Sequence, residues 1–232
     1  MQEPYQKTNI YFIPGQGADK RLFGKIKLDE RFIVNHITYE TPTKNSTMRS
    51  YAEELAQQID QSKPFILIGA SLGGMLATEI TSFLEPMRTI LISSAKQRSE
   101  LPFRYRFQKQ LPFYKLVPAS LVKLGAKILQ PLVESDRNKE KTIFKAMLNA
   151  KDPKFLSRTV HMIVNWERQT AEDSIIHIHG NKDHTLPIKN VQYDYLIEGG
   201  SHMMSLTRAE EINQLILAVL TQHKSHKDTF IK

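Results

Sequence analysis

The chain has 232 residues, 41% of them hydrophobic and 24% charged, with 32 Lys and Arg against 24 Asp and Glu for a net charge of +8. A chain of that size suits one globular domain able to bury roughly 70% of its unfolded surface. The absence of cysteine excludes disulfides, thiolate zinc sites, iron–sulfur clusters and a cysteine nucleophile. The N-terminal residues carry no basic patch followed by an apolar run, and no apolar stretch approaches the about 18 residues of a membrane span. A soluble cytoplasmic protein is expected.

Asn9-Ile10-Tyr11-Phe12-Ile13, stopped by Pro14-Gly15, reads as a strand buried on both faces. Phe32 to Tyr39 reads as a second, more polar strand. After Thr41-Pro42-Thr43, residues Met48, Tyr51, Ala52, Leu55, Ala56 and Ile59 fall at i, i+3, i+4, i+7, i+8 and i+11, the stripe of an amphipathic helix. Pro64 to Ile68 predicts a third strand, Gly73 to Leu84 a helix closed by Pro86, and Thr89 to Ile92 a fourth strand. The rhythm returns with strands over Ser174–Ile178, ending at Gly180, and Tyr193–Ile197, ending at Gly199-Gly200. A closing helix carries Ile212, Leu215, Ile216, Val219 and Leu220, and the polar tail from His223 onward is expected to fray. Apolar strands alternating with helices predict an α/β three-layer sandwich around a mostly parallel sheet.

Lys96 to Arg168 breaks this rhythm. It holds five of the eleven prolines, shows helical stripes such as Leu156, Val160, Ile163 and Val164, and has no convincing strand. It also carries 16 Lys and Arg against 6 Asp and Glu, so all the excess positive charge lies here. Residues 1–95 and 169–232 are therefore expected to form one core domain, with 96–168 a basic helical cap inserted between two core strands.

Gly69-Ala70-Ser71-Leu72-Gly73 matches G-x-S-x-G between a predicted strand and a predicted helix. In that setting a sharp turn exposes the serine hydroxyl at a helix N-terminus, where developing negative charge is favoured. A serine needs a base to take its proton, and the base needs an orienting group. In parallel sheets such groups gather beyond the carboxyl ends of strands. Asp183 follows the strand ending at Gly180, and His202 follows the one ending at Gly199-Gly200.

Together, Ile13-Pro14-Gly15-Gln16-Gly17, Gly69 to Gly74, His179 to Asp183 and Gly199 to Met203 resemble the landmarks of the α/β-hydrolase superfamily, in the right order and over nearly the whole chain. The resemblance implies Ser71 as nucleophile, His202 as general base and then acid, and Asp183 as orienting carboxylate. It implies an oxyanion hole from the backbone N–H groups of Leu72 and Gln16, and a cap where the basic insertion falls. Many relatives have histidine at the position of Pro14.

The expected activity is hydrolysis of carboxylic esters or thioesters through an acyl-enzyme, with no cofactor and no metal. Lyase-type chemistry with the same triad, or a non-catalytic binding protein on the same fold, are the alternatives. Among other candidates, His177 and His179 read as core or edge histidines, and His184 is either exposed or at the substrate. Asp194 is the rival acid, placed inside a strand rather than beyond its end. Met75, Met203 and Met204 are pocket lining or core filler. Phe103, Tyr105, Phe107, Phe113, Tyr114 and Trp166 either cover the site or anchor the cap. The cap's charge is a solvated face, or it docks an anionic carrier such as CoA or an acyl carrier protein through Arg104, Arg106, Lys109, Lys115, Lys123 and Lys127. No nucleic-acid motif accompanies the charge.

Overall fold

The computed structural model describes residues 7–125, 136 and 139–221. Six strands, β1 (Thr8–Ile13), β2 (Phe32–His36), β3 (Phe65–Ala70), β4 (Arg88–Ile92), β5 (Ile175–Gly180) and β6 (Tyr195–Ile197), form one sheet in the order β2-β1-β3-β4-β5-β6. Every pairing is parallel, where a mostly parallel sheet was expected.

Successive side chains of a strand point to opposite faces, so a strand covered on both sides feeds two cores. Tyr11 and Ile13 of β1 join one cluster with α1 (Met48–Ala56) and α2 (Leu72–Ile80). Ile10 and Phe12 join the other, which includes Ile212, Ile216 and Val219 of α6 (Ala209–Thr221). The stripe read from the sequence is the buried face of α1 as far as Ala56, and Ile59 is buried in the turn that follows. Thr47 caps that helix by accepting the Ser50 N–H, and the Ser50 hydroxyl accepts the Thr47 N–H in return.

Strand order reverses at β1, which has β2 on one side and β3 on the other. In an open parallel sheet this reversal opens a crevice beyond the carboxyl ends of the two diverging strands. Ile13 is level with Gly69, so the Pro14-Gly15-Gln16 turn and Ser71 leave the sheet side by side at that crevice.

The structure departs from the sequence expectations at the sheet edges. Strand β2 ends at His36, because its pairing with β1 ends at Phe12 opposite His36. Tyr39 instead leaves the sheet, and its hydroxyl donates to the Pro14 carbonyl at 2.5 Å. Strand β6 begins at Tyr195, so Asp194 precedes the strand and is not inside it. Helix α2 is regular through Ile80 and continues to Leu84 as turns.

Between β4 and β5 the described residues contain no strand. They contain α3 (Phe103–Phe107), α4 (Lys141–Asn149) and α5 (Pro153–Val164), the last capped by Asp152 with proline at its first position. Met147, Leu148, Phe155, Leu156, Met162 and Ile163 join the two cores and seat this segment on the sheet. Trp166 is buried as an anchor, its indole N–H donating to the buried Glu79 carboxylate of α2 at 2.7 Å. Among the described residues no helix is long and apolar enough to cross a membrane.

Candidate active site

Ser71 joins β3 to α2 with φ 52° and ψ −120°. Positive φ for a non-glycine residue stores of order 1–3 kcal/mol of strain, so the surroundings must impose it. The Ser71 N–H donates to the Ile92 carbonyl at 3.1 Å, and the Ser94 hydroxyl donates to the Ser71 carbonyl at 2.7 Å. The Ser94 N–H in turn donates to His177 Nε2 at 3.3 Å. Closeness explains the flanking glycines. A β-carbon on Gly69 would lie 2.4 Å from the Gly73 carbonyl oxygen, and one on Gly73 would lie 2.0 Å from that of Ile13.

His202 follows β6. Its Nε2 accepts from the Ser71 hydroxyl at 2.9 Å and its Nδ1–H donates to Asp183 Oδ2 at 2.8 Å. The carboxylate accepts only, which fixes the proton on Nδ1 and leaves Nε2 as acceptor. The other Asp183 oxygen accepts the Thr185 and Leu186 N–H groups at 2.9 and 2.8 Å. Asp183 is 2% exposed. Burial works against its charge, but the neighbouring His202, with His179 and the Leu186 amide, holds its carboxyl below the usual range.

His177 and His179 are fully buried core histidines. His177 Nδ1–H donates to the Gln192 carbonyl, and His179 Nε2–H to that of Leu186. Burial, then the neighbouring His179, pushes His177 down to about 3. In the unfolded chain this histidine titrates near 6.5, so below that pH the unfolded state holds a proton that the folded state refuses. Stability therefore rises with pH between about 3 and 6.5 and falls on acidification. The depressed Asp183 acts in the same direction at the acid end. Between pH 7 and 4.5 the His177 contribution is about 3 kcal/mol, and the thermal midpoint is expected to fall by roughly 6–10 °C. A midpoint unchanged over that interval would contradict a neutral buried His177.

The rival acid faces elsewhere. The Asp194 carboxylate accepts the His177 backbone N–H at 2.7 Å and lies 3.8 Å from Lys96 Nζ. His184 is exposed.

Ser71 and His202 open into a cleft of about 450 Å³. Met75, Phe144, Leu148, Leu156 and Ile163 form apolar wall, with Met203 and Tyr105 also lining it. Met204 is instead buried in the second core. Gly15 and Gln16 line the cleft beside Ser71, and a β-carbon on Gly15 would lie 3.3 Å from that of Ser71. Leu72 is the first residue of α2, so its N–H has no carbonyl one turn back within the helix.

Sequence reasoning missed what the Gln16 side chain does. Its amide donates to Thr159 Oγ1 at 2.7 Å and to the Leu156 carbonyl at 2.9 Å, tying the first loop to α5. No local pattern signals this link, since a helical stripe containing Leu156 and Ile163 reads the same whether it faces a core or a cleft.

The cations of the basic segment are used differently from one another. Arg104 lines the cleft and donates to the Thr185 carbonyl. Lys109 pairs with Glu167 at 2.8 Å, and Lys123 donates to the Asn149 and Lys151 carbonyls at the C-terminal end of α4. Arg106 and Lys115 are exposed, and Lys127 lies outside the described residues. Among the described residues no group of three His, Asp or Glu side chains converges on a point where a metal ion would sit.

A model of an uncharacterised protein family, UPF0227, matches residues 24–101, a stretch that holds Ser71 but neither Asp183 nor His202. No curated protein matches the chain. Solved structures match over nearly the full length. An esterase from Exiguobacterium antarcticum superposes with a TM-score of 0.66 at 16% identity, covering 94% of this chain and 93% of that one. A thermophilic esterase from Thermogutta terrifontis gives 0.70 at 16% identity, covering 93% and 90%. An enol-lactonase from Burkholderia xenovorans gives 0.67 at 12% identity, covering 93% and 92%. The shared architecture is the α/β-hydrolase fold.

Proposed function

We propose that this α/β-hydrolase-fold protein is a serine hydrolase that cleaves carboxylic esters through an acyl-enzyme. The observation that carries the reading is the unbroken chain of hydrogen bonds from the Ser71 hydroxyl through His202 to the buried Asp183, opening into an apolar cleft. Esterases among the solved structures of the same fold support it.

In the first half-reaction the Ser71 oxygen attacks the ester carbonyl as its proton passes to His202 Nε2. The charge that develops on the carbonyl oxygen is held by the backbone N–H groups of Gln16 and Leu72, and His202 then returns the proton to the departing alcohol. In the second half, water gives its proton to His202 and attacks the acyl-enzyme. The acid leaves as the proton returns to Ser71. Asp183 stays ionised and stabilises the imidazolium in both halves.

A panel of aryl esters and acyl thioesters graded by acyl length tests the reading. Turnover with a length optimum is expected, because a finite apolar cleft rewards added methylenes only until it is full. Failure to turn over any member, or equal turnover by Ser71→Ala, would contradict it.

The Gln16 link makes α5 a positioning element for the oxyanion loop. Thr159 is buried and donates its own proton to the Phe155 carbonyl, so it can only accept from Gln16. Thr159→Val keeps the shape and removes that acceptor. It is expected to lower kcat about five- to tenfold, the worth of one hydrogen bond, with KM nearly unchanged and Thr159→Ser restoring activity. Equal kcat in the valine variant would sever the cap from the oxyanion loop.

A further inference from the structure

The segment from Phe103 to Leu124 has a composition the esterase reading does not use. No acidic residue occurs between Glu100 and Glu134, while Arg104, Arg106, Lys109, Lys115, Lys123 and Lys127 all fall there. The same segment holds more than half of the large apolar side chains exposed on the described surface. Leu116 is 80% exposed and Phe103 68%, with Leu111, Phe113, Leu121 and Leu124 near half. Phe113, Val117 and Val122 also line an apolar groove of about 210 Å³. Single exposed apolar residues are ordinary, but apolar side chains gathered on one patch of surface mark an interaction site, and Phe113 and Val117 are both exposed and share this groove.

We propose that this face of the cap docks on the surface of an anionic lipid bilayer. Two observations select that occupant. Lysine and arginine without intervening acids complement a negatively charged surface, and Arg104, Arg106 and Lys115 form no ion pair among the described residues. Large aliphatic and aromatic side chains between those cations gain by entering the boundary between headgroups and acyl chains. An acidic carrier protein would use the charges but leave Leu116 and Leu121 without a role. Three cations also serve the fold, Lys109 with Glu167, Lys123 with the Asn149 and Lys151 carbonyls and Arg104 with the Thr185 carbonyl, which shifts weight further onto the apolar residues. Arg104 and Tyr105 belong both to this segment and to the cleft lining, so the docking face borders the site where an apolar ester would enter.

Vesicle flotation tests the proposal without any catalytic readout, so its outcome is independent of ester hydrolysis. The wild-type protein is expected to float with phosphatidylcholine vesicles containing one-third phosphatidylglycerol about tenfold more strongly than with phosphatidylcholine alone. Binding should weaken but persist from low to physiological salt, because screening acts on the charges and not on the apolar contacts. The double variant Leu116→Ser with Leu121→Ser removes exposed side chains outside the cleft lining. It is expected to lose about tenfold in vesicle affinity while its thermal midpoint and its turnover of a short soluble ester stay at wild-type values. No flotation with anionic vesicles would overturn the proposal. So would flotation abolished by Arg106→Gln with Lys115→Gln yet untouched by the leucine changes, since a purely electrostatic face fits an acidic protein partner instead.

Discussion

Replacing Ser71 by alanine is expected to lower kcat for ester hydrolysis by about 10^5- to 10^6-fold, the loss typical when the nucleophile of a hydrogen-bonded triad is removed. The fold should not suffer. Gly69, Gly73 and the Ser94 bond to the Ser71 carbonyl all act through backbone positions that alanine preserves. Glycine at the same position should be equally inactive and more stable, because it adopts φ near 52° without the steric cost that serine bears. Relief of about 1–2 kcal/mol would raise the thermal midpoint by roughly 2–6 °C. Kinetics and calorimetry on the two variants thus read the chemistry and the strain separately. An active alanine variant would remove the nucleophile. A glycine variant no more stable than wild type would show that the turn is unstrained.

Asp183→Asn is expected to cost about 10^4-fold in kcat with little change in KM. The asparagine oxygen would keep accepting the Thr185 and Leu186 N–H groups, which turns its NH2 toward His202 Nδ1. A donor there demands a lone pair on Nδ1, so the imidazole proton moves to Nε2. Nε2 then faces Ser71 as a second donor and cannot take the hydroxyl proton. The variant should fold, since no bulk changes. Asp194→Asn serves as the control. Its carboxylate binds the His177 backbone N–H at the edge of β6, away from His202, and activity should stay within about threefold of wild type. A loss below tenfold for Asp183→Asn would reduce Asp183 to a bystander, and a large loss for Asp194→Asn would reverse the assignment.

Much of this was legible because the strongest sequence signals coincide with double burial. β1, β3 and β4 are covered on both faces and read as apolar runs, and β5 reads the same way apart from the buried His177 and His179. β2 and β6 are edge strands with polar or exposed positions such as Ile33, Val34 and Leu196, and there the boundaries went astray. The convergence of Ser71, Asp183 and His202 was readable because each follows a strand end that a glycine announces. What stayed hidden is contact between distant segments that no periodicity encodes. The Gln16 side-chain amide reaching Thr159 spans 143 positions, and Ser94 bracing the Ser71 turn is an ordinary serine in an ordinary loop. The aromatics between Phe103 and Trp166 were legible only as a group. Sheet and cleft geometry decide that Trp166 anchors, Tyr105 lines and Phe103 faces outward.

The account turns on whether the Ser71 oxygen is activated, and covalent labelling measures that without knowledge of the natural substrate. Intact-mass analysis after treatment with a fluorophosphonate should show a single adduct on the wild-type protein, mapped to the peptide containing Ser71 and absent from Ser71→Ala and His202→Ala. An unlabelled wild-type protein, or an adduct that persists in the alanine variants, would contradict it.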